Sequence, residues 1–238
     1  MTNLDSVRWQ CSWNAKTVIK IWFIAFILNT IFSYFLFLFA KRLDIHLPDG
    51  LDILTWNTSL FLFTIFFLWR KSGLLFVQEM GLNKSGPIRN ILFGILLAFG
   101  LSQILKFVLN IFSDATTYKA IGLALFKIEF GSLAVIFTFV AALTEEITVR
   151  GLVHTYLRSR LGPLVCCSIS IFIFLLMHTY TLLQFDGSMF VIRLIWFTAT
   201  GTLFVLLYER TRSVIPGTIA HLVINGVVLF GVVPIPKT

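Results

Sequence analysis

Apolar residues along the chain gather into blocks of about 20, divided by short segments that carry most of the charge. That block length matches a helix crossing the ~30 Å hydrocarbon core of a bilayer. The blocks fall near residues 18–40, 51–69, 88–109, 130–157, 162–184, 190–208 and 214–233. Each predicts a transmembrane helix, about seven in all within a range of six to eight. All six prolines lie at or beyond block ends, where helices start and stop. Uninterrupted apolar runs such as Ile31 to Ala40 exclude an outer-membrane barrel, whose strands alternate apolar and polar residues. The expected fold class is therefore all-α, a polytopic transmembrane helical bundle. It divides into an N-terminal head (1–17), a first group of helices (18–129) and a second group (130–233) that carries the candidate chemistry.

Composition agrees with this pattern and narrows it. The chain is 58% hydrophobic, contains 26 Phe and is only 13% charged, against roughly 25% charged in soluble domains. A soluble globular protein is excluded. The first block is too long for a cleaved signal peptide and no small-residue cleavage site follows it, so it is expected to stay as a signal anchor. Cys166 and Cys167 are adjacent in an apolar run and read as packing residues rather than a disulfide framework or CxxC metal site. Trp9 and Trp13 are expected to float at the interface, with Trp22, Trp56 and Trp69 forming an aromatic belt near span ends.

The net charge of +8 calls for no nucleic-acid partner, because the basic residues are scattered over block ends. Membrane lipids are the expected neighbours. Loops on the N-terminal side hold twelve Lys and Arg against seven on the other side, which places the N-terminus in the cytoplasm by the positive-inside rule. A bacterial cytoplasmic membrane is the expected location. The stretch Ile111 to Lys127 reads as a short surface helix.

Against this apolar background the ionisable residues inside the blocks carry the information, since each costs about 2.5–3.5 kcal/mol or more at the bilayer centre. The fourth block contains Glu145, Glu146 and Arg150. Glu146 and Arg150 are i,i+4 with the acid on the N-terminal side, the favourable orientation for an ion pair. Glu145 points about 100° away and is the carboxylate left for a cavity, a candidate general base. On these residues alone a structural polar cluster fits equally well. The fifth block contains Phe174 and His178, and the seventh contains His221 and Asn225 on one helical face. Interior histidines that only bond neighbouring helices are the plainer alternative. His154, His46, Glu129, Asp186 and Glu209 read as solvated or span-end residues, with His154 near the inner mouth.

Depth brings the three sets together. Glu145 lies 13 residues before Arg158 and His178 lies 16 residues after Gly162, about 20 and 24 Å from the same side at ~1.5 Å per residue. His221 and Asn225 lie about 10 and 16 Å from that side. A carboxylate with an imidazole deprotonates water, directly or on a metal, and a second imidazole with an amide stabilises an oxyanion. The inventory suits amide hydrolysis. No HExxH or GxSxG element is present.

Glu145-Glu146-x-x-x-Arg150, Phe174-x-x-x-His178 and His221-x-x-x-Asn225, in that order on successive apolar segments, resemble the CPBP family. This is the CAAX-protease and bacteriocin-processing group, also called Abi, related to the type II CAAX prenyl endopeptidases. The resemblance spans about Gly131 to Leu229. It implies an intramembrane endopeptidase acting on a hydrophobic or lipidated peptide, with a site open to the cytosol. By motif, Glu145 and His178 would activate water and His221 with Asn225 would bind the oxyanion. Glu146 would be a second acidic site residue supported by Arg150 and Phe174. Glu145, His178 and His221 could hold a divalent metal such as zinc, and the same groups serve without one. Val149 stands where the family commonly has an aromatic residue, which points to a bacterial-type relative. A non-catalytic scaffold or bacteriocin-immunity protein of the same fold is the alternative, and a proton-coupled transporter a more distant one.

Overall fold

The computed structural model describes residues 13–43, 51–82, 88–112, 132–183 and 187–231. Among them the chain is helical with no strand. Seven long helical segments coincide with the seven apolar blocks, because a backbone crossing lipid must satisfy its own hydrogen bonds. They are α1 (Ala15–Arg42), α2 (Leu51–Ser72), α4 (Ile88–Phe112), α5 (Ser132–Glu146) with its continuation, α7 (Pro163–Met177), α9 (Gly187–Thr211) and α10 (Val214–Gly231). Three short helices join them: α3 (Leu75–Glu79), α6 (Thr155–Arg158) and α8 (Thr179–Leu182). Among the described residues α1, α4 and α9 contain windows long and apolar enough to span a bilayer unaided, while α7 and α10 are shorter apolar helices. The Ile111–Lys127 surface helix expected from sequence falls almost wholly outside the described residues, as do Trp9, His46, Glu129 and Asp186.

Local signals set the ends. Asn14 caps α1, its Oδ1 accepting the Thr17 N–H at 2.8 Å, and Lys41 and Arg42 occupy the last turn, where they complement the helix dipole. Pro163 opens α7 after Gly162, the position where a missing N–H costs nothing. Many lipid-length helix faces carry exposed large apolar residues, Phe35 on α1 and Leu96 on α4 among them.

One end of the bundle gathers chain segments that are distant in sequence. Trp13 Nε1 donates to Ser72 Oγ at 3.5 Å, Arg160 donates to the Trp13 carbonyl at 2.7 Å, and Ser213 Oγ donates to the Gly81 carbonyl at 2.9 Å. Arg210 Nε donates to Asn90 Oδ1 at 3.1 Å. The start of α1, the end of α2, α3, the start of α4, the α6–α7 turn and the α9–α10 turn thus share one face. Lys16, Lys20, Arg70, Lys71, Arg89, Arg158, Arg160, Arg210 and Arg212 lie there, against Glu79 and Glu209.

Trp13 corrects an expectation. It is 1% exposed and packs with Val18, Ile21, Leu68, Phe76 and Met80 in the core rather than floating at the interface. The partners responsible, Ser72 and Arg160, are 59 and 147 residues away, so no local pattern announces them. Trp69, by contrast, is 52% exposed near the end of α2, as an aromatic-belt residue would be.

Candidate active site

The helix that begins as α5 widens to π-form over Ile147–His154 before resuming as α6. A π-turn changes the angular spacing of side chains and recurs at functional sites. Every residue from Glu146 to Leu152 is buried. Arg150, fully buried, donates from Nη1 to Glu146 Oε1 at 3.0 Å and from Nη2 to the Gly201 carbonyl of α9 at 3.1 Å. Its guanidinium also lies over the rings of Phe174 (4.8 Å) and Phe204 (5.4 Å). A buried guanidinium is tolerated on such terms, paired, hydrogen-bonded and stacked.

Three helices then deliver the remaining groups. His178 sits where α7 ends, with φ −100° and ψ 8°, and its Nδ1 lies 2.9 Å from the Phe174 carbonyl. A carbonyl only accepts, so Nδ1 carries the proton and Nε2 presents its lone pair. That Nε2 lies 3.7 Å from Glu145 Oε2. His221 Nε2 approaches the same oxygen at 3.9 Å, and its Nδ1 lies 3.4 Å from Glu146 Oε1. Glu145, Glu146, His178 and His221 are therefore brought together from α5, α7 and α10. Asn225 follows His221 by one turn of α10 and is partly exposed.

Glu145 Oε2 is buried and has no hydrogen-bond partner among the described residues. Separations of 3.7 and 3.9 Å exceed direct hydrogen bonds. Zinc bonds of ~2.1 Å in tetrahedral geometry would set ligand atoms about 3.4 Å apart. Among the described residues no set of three or more His, Cys, Asp or Glu is arranged to hold a metal ion.

Aromatic rings form the wall. Phe174 lies 4.5 Å from the His178 ring and 6.0 Å from that of His221, Phe197 lies 4.4 Å from His178, and Phe204 stacks on His221 at 4.6 Å. Phe197 and Phe204 escape sequence reading because they are ordinary members of a Phe-rich chain. Gly201 and Gly217 escape it too. A Cβ on Gly201 would come within 3.1 Å of Phe174 Cδ1, and one on Gly217 within 2.9 Å of Glu146 Oε2. Glycines inside apolar spans are the one signal that marks close helix approach.

His154 does not line a mouth. It is fully buried, with Nδ1 2.8 Å from Ser170 Oγ and Nε2 2.9 Å from Glu209 Oε1, and Arg158 Nε donates to the same Glu209 oxygen at 2.8 Å. Glu209, near the end of α9 as expected, is thus paired with His154 and Arg158.

The family model described as type II CAAX prenyl endopeptidase Rce1-like matches residues 127–227, a segment that contains every residue of the three motifs. No curated protein and no solved structure matches the chain. The apolar helices make it an integral membrane protein, and its residues 127–227 are similar to the CAAX-protease (CPBP) family.

Proposed function

We propose that the chain is a glutamate-dependent intramembrane endopeptidase that hydrolyses a peptide bond in a hydrophobic or lipidated peptide. The observation that carries the reading is the unpartnered Glu145 Oε2 facing Nε2 of both His178 and His221 at separations longer than a direct hydrogen bond. A water there donates one hydrogen to Glu145 and the other to the His178 lone pair, which turns its own lone pairs toward a substrate carbonyl. As oxygen attacks carbon, Glu145 accepts the proton and later passes it to the leaving amine. N–H donors of His221 and Asn225 receive the oxyanion.

Glu146 and Arg150 take no part in proton transfer. Their ion pair, tied to Gly201, holds the π-turn against α9 and sets the direction of Glu145. The nine-cation face of the bundle is proposed as the cytoplasmic side. Purified protein presented with a quenched fluorescent hydrophobic peptide tests the reading. Cleavage that Glu145→Gln and His178→Ala abolish is expected; cleavage indifferent to both substitutions overturns it.

A further inference from the structure

Three threonines of α9 and α10 return their hydroxyl protons to a carbonyl one α-turn back. Thr198 bonds Leu194, Thr202 bonds Thr198 and Thr218 bonds Val214, each four residues earlier, at 2.7, 2.7 and 2.9 Å. Thr155 reaches further: its N–H and its Oγ1 both donate to the carbonyl of Arg150, five residues back, the hydroxyl at 3.2 Å. That spacing belongs to a π-turn. Thr155 therefore closes the widened segment Ile147–His154 with two bonds, where an α-turn would offer it the Gly151 carbonyl instead.

Tyr208 completes the arrangement from α9. Its OH lies 2.6 Å from Thr155 Oγ1, and both residues are 1% exposed. Thr155 has one hydroxyl proton and gives it to a carbonyl, which only accepts, so the Tyr208 O–H is the donor of the shorter bond. The bonds run from Tyr208 O–H to Thr155 Oγ1 and from Thr155 O–H to the Arg150 carbonyl, each polarising the next. Tyr208 follows Gly201 by two turns on the same face of α9, and the Gly201 carbonyl accepts from the Arg150 guanidinium at 3.1 Å. One face of α9 thus holds Arg150 twice, by its side chain at Gly201 and by its own carbonyl through Thr155.

Resting on the endopeptidase reading above, we propose that Tyr208 and Thr155 are positioning residues for Glu145, their hydroxyl chain keeping Ile147–His154 in π-form. Closing that segment to an α-turn removes one residue from the turn and rotates the helix on one side of it by about 100° relative to the other. The C-terminal side is anchored, since His154 is bonded to Ser170 and Glu209, and Arg158 donates to the same Glu209 oxygen. The rotation falls on the other side, where Glu145 and Glu146 leave α5 toward His178 and His221. Neither hydroxyl handles the proton of the reaction; both act through the backbone of Arg150.

Substitutions that delete single hydroxyls at nearly constant shape test the proposal. Tyr208→Phe and Thr155→Val each break the chain of bonds, Thr155→Ser restores it, and Tyr156→Phe removes a neighbouring hydroxyl outside it. On a quenched hydrophobic peptide, Tyr208→Phe and Thr155→Val should lose about 10- to 100-fold in kcat, with KM within about twofold of the unsubstituted protein. Thr155→Ser and Tyr156→Phe should keep kcat within about threefold. If Tyr208→Phe does not fold, Thr155→Val against Thr155→Ser makes the same comparison. Folded Tyr208→Phe or Thr155→Val that turns over at the parental rate overturns the proposal, however low its melting temperature, and so does an equal loss in Tyr156→Phe. An unsubstituted protein that cleaves nothing counts against the endopeptidase reading instead, and a measurement without catalysis then decides. In protein carrying 13C at its Glu carboxyl carbons, the Glu145 resonance is assigned by its loss in Glu145→Gln. It should move in Tyr208→Phe and Thr155→Val and stay in place in Tyr156→Phe; a Glu145 resonance unmoved in all three overturns the positioning role.

Discussion

Gly217 of α10 faces Glu146 so closely that a methyl group on its Cα would lie 2.9 Å from Glu146 Oε2. The carboxylate cannot retreat freely, because its other oxygen accepts from Arg150 at 3.0 Å. Gly217→Ala should therefore push α10, with His221 one turn on, away from α5. The expected result is a loss of activity of tenfold or more with the fold retained, read as kcat/KM beside a thermal unfolding midpoint. Unchanged kinetics would show that the contact is slack.

Arg150 answers for the π-turn. Removing one partner of a buried ion pair typically costs about 3–5 kcal/mol, so Arg150→Ala should lower stability enough to reduce the yield of folded protein. Arg150→Lys keeps the charge but cannot bond Glu146 and the Gly201 carbonyl together from a planar fork. It should fold and lose most activity. Thermal melts and turnover on the same preparations check both statements.

His154 tests the layer beneath the site. His154→Phe keeps the bulk but strands Ser170 Oγ and one bond of Glu209, and a buried group left unsatisfied costs about 1–3 kcal/mol. Because Ser170 is buried on α7 eight residues before His178, the register of α7 should loosen as well. A lower melting temperature with weaker cleavage is expected, and Ser170→Ala should give a smaller effect in the same direction. Equal stability in His154→Phe would remove this role.

Chelation separates the two routes to an activated water. The proposed proton path uses Glu145 and His178 directly. Cleavage should survive exhaustive dialysis against a chelator within about twofold. Loss of activity, with recovery on adding back zinc, would route the chemistry through an ion.

How much of this was legible in the sequence follows from the range of the interactions involved. The helices could be read because lipid forces each span to be a local, apolar, self-bonded segment, so block boundaries and helix boundaries nearly coincide. The Glu146–Arg150 pair was legible for the same reason, being i,i+4 on one helix. The meeting of Glu145, His178 and His221 was approached through depth alone, which gives height in the membrane but not which faces turn toward each other. The π-turn could not be anticipated, since no residue pattern over Ile147–His154 distinguishes it from an α-turn. Trp13 and His154 defeat sequence reading because their partners lie 16 to 147 residues away, and a side chain at a span end looks solvated until another helix covers it.

The central claim is that Glu145 is the base that deprotonates the attacking water. Glu145→Gln preserves the size of a side chain that is 13% exposed and removes only its capacity to accept the proton. Its kcat on a hydrophobic peptide should fall by about 10²–10⁴, with KM and melting temperature close to those of the parent protein. A Glu145→Gln protein that folds and cleaves at the parental rate would contradict the account.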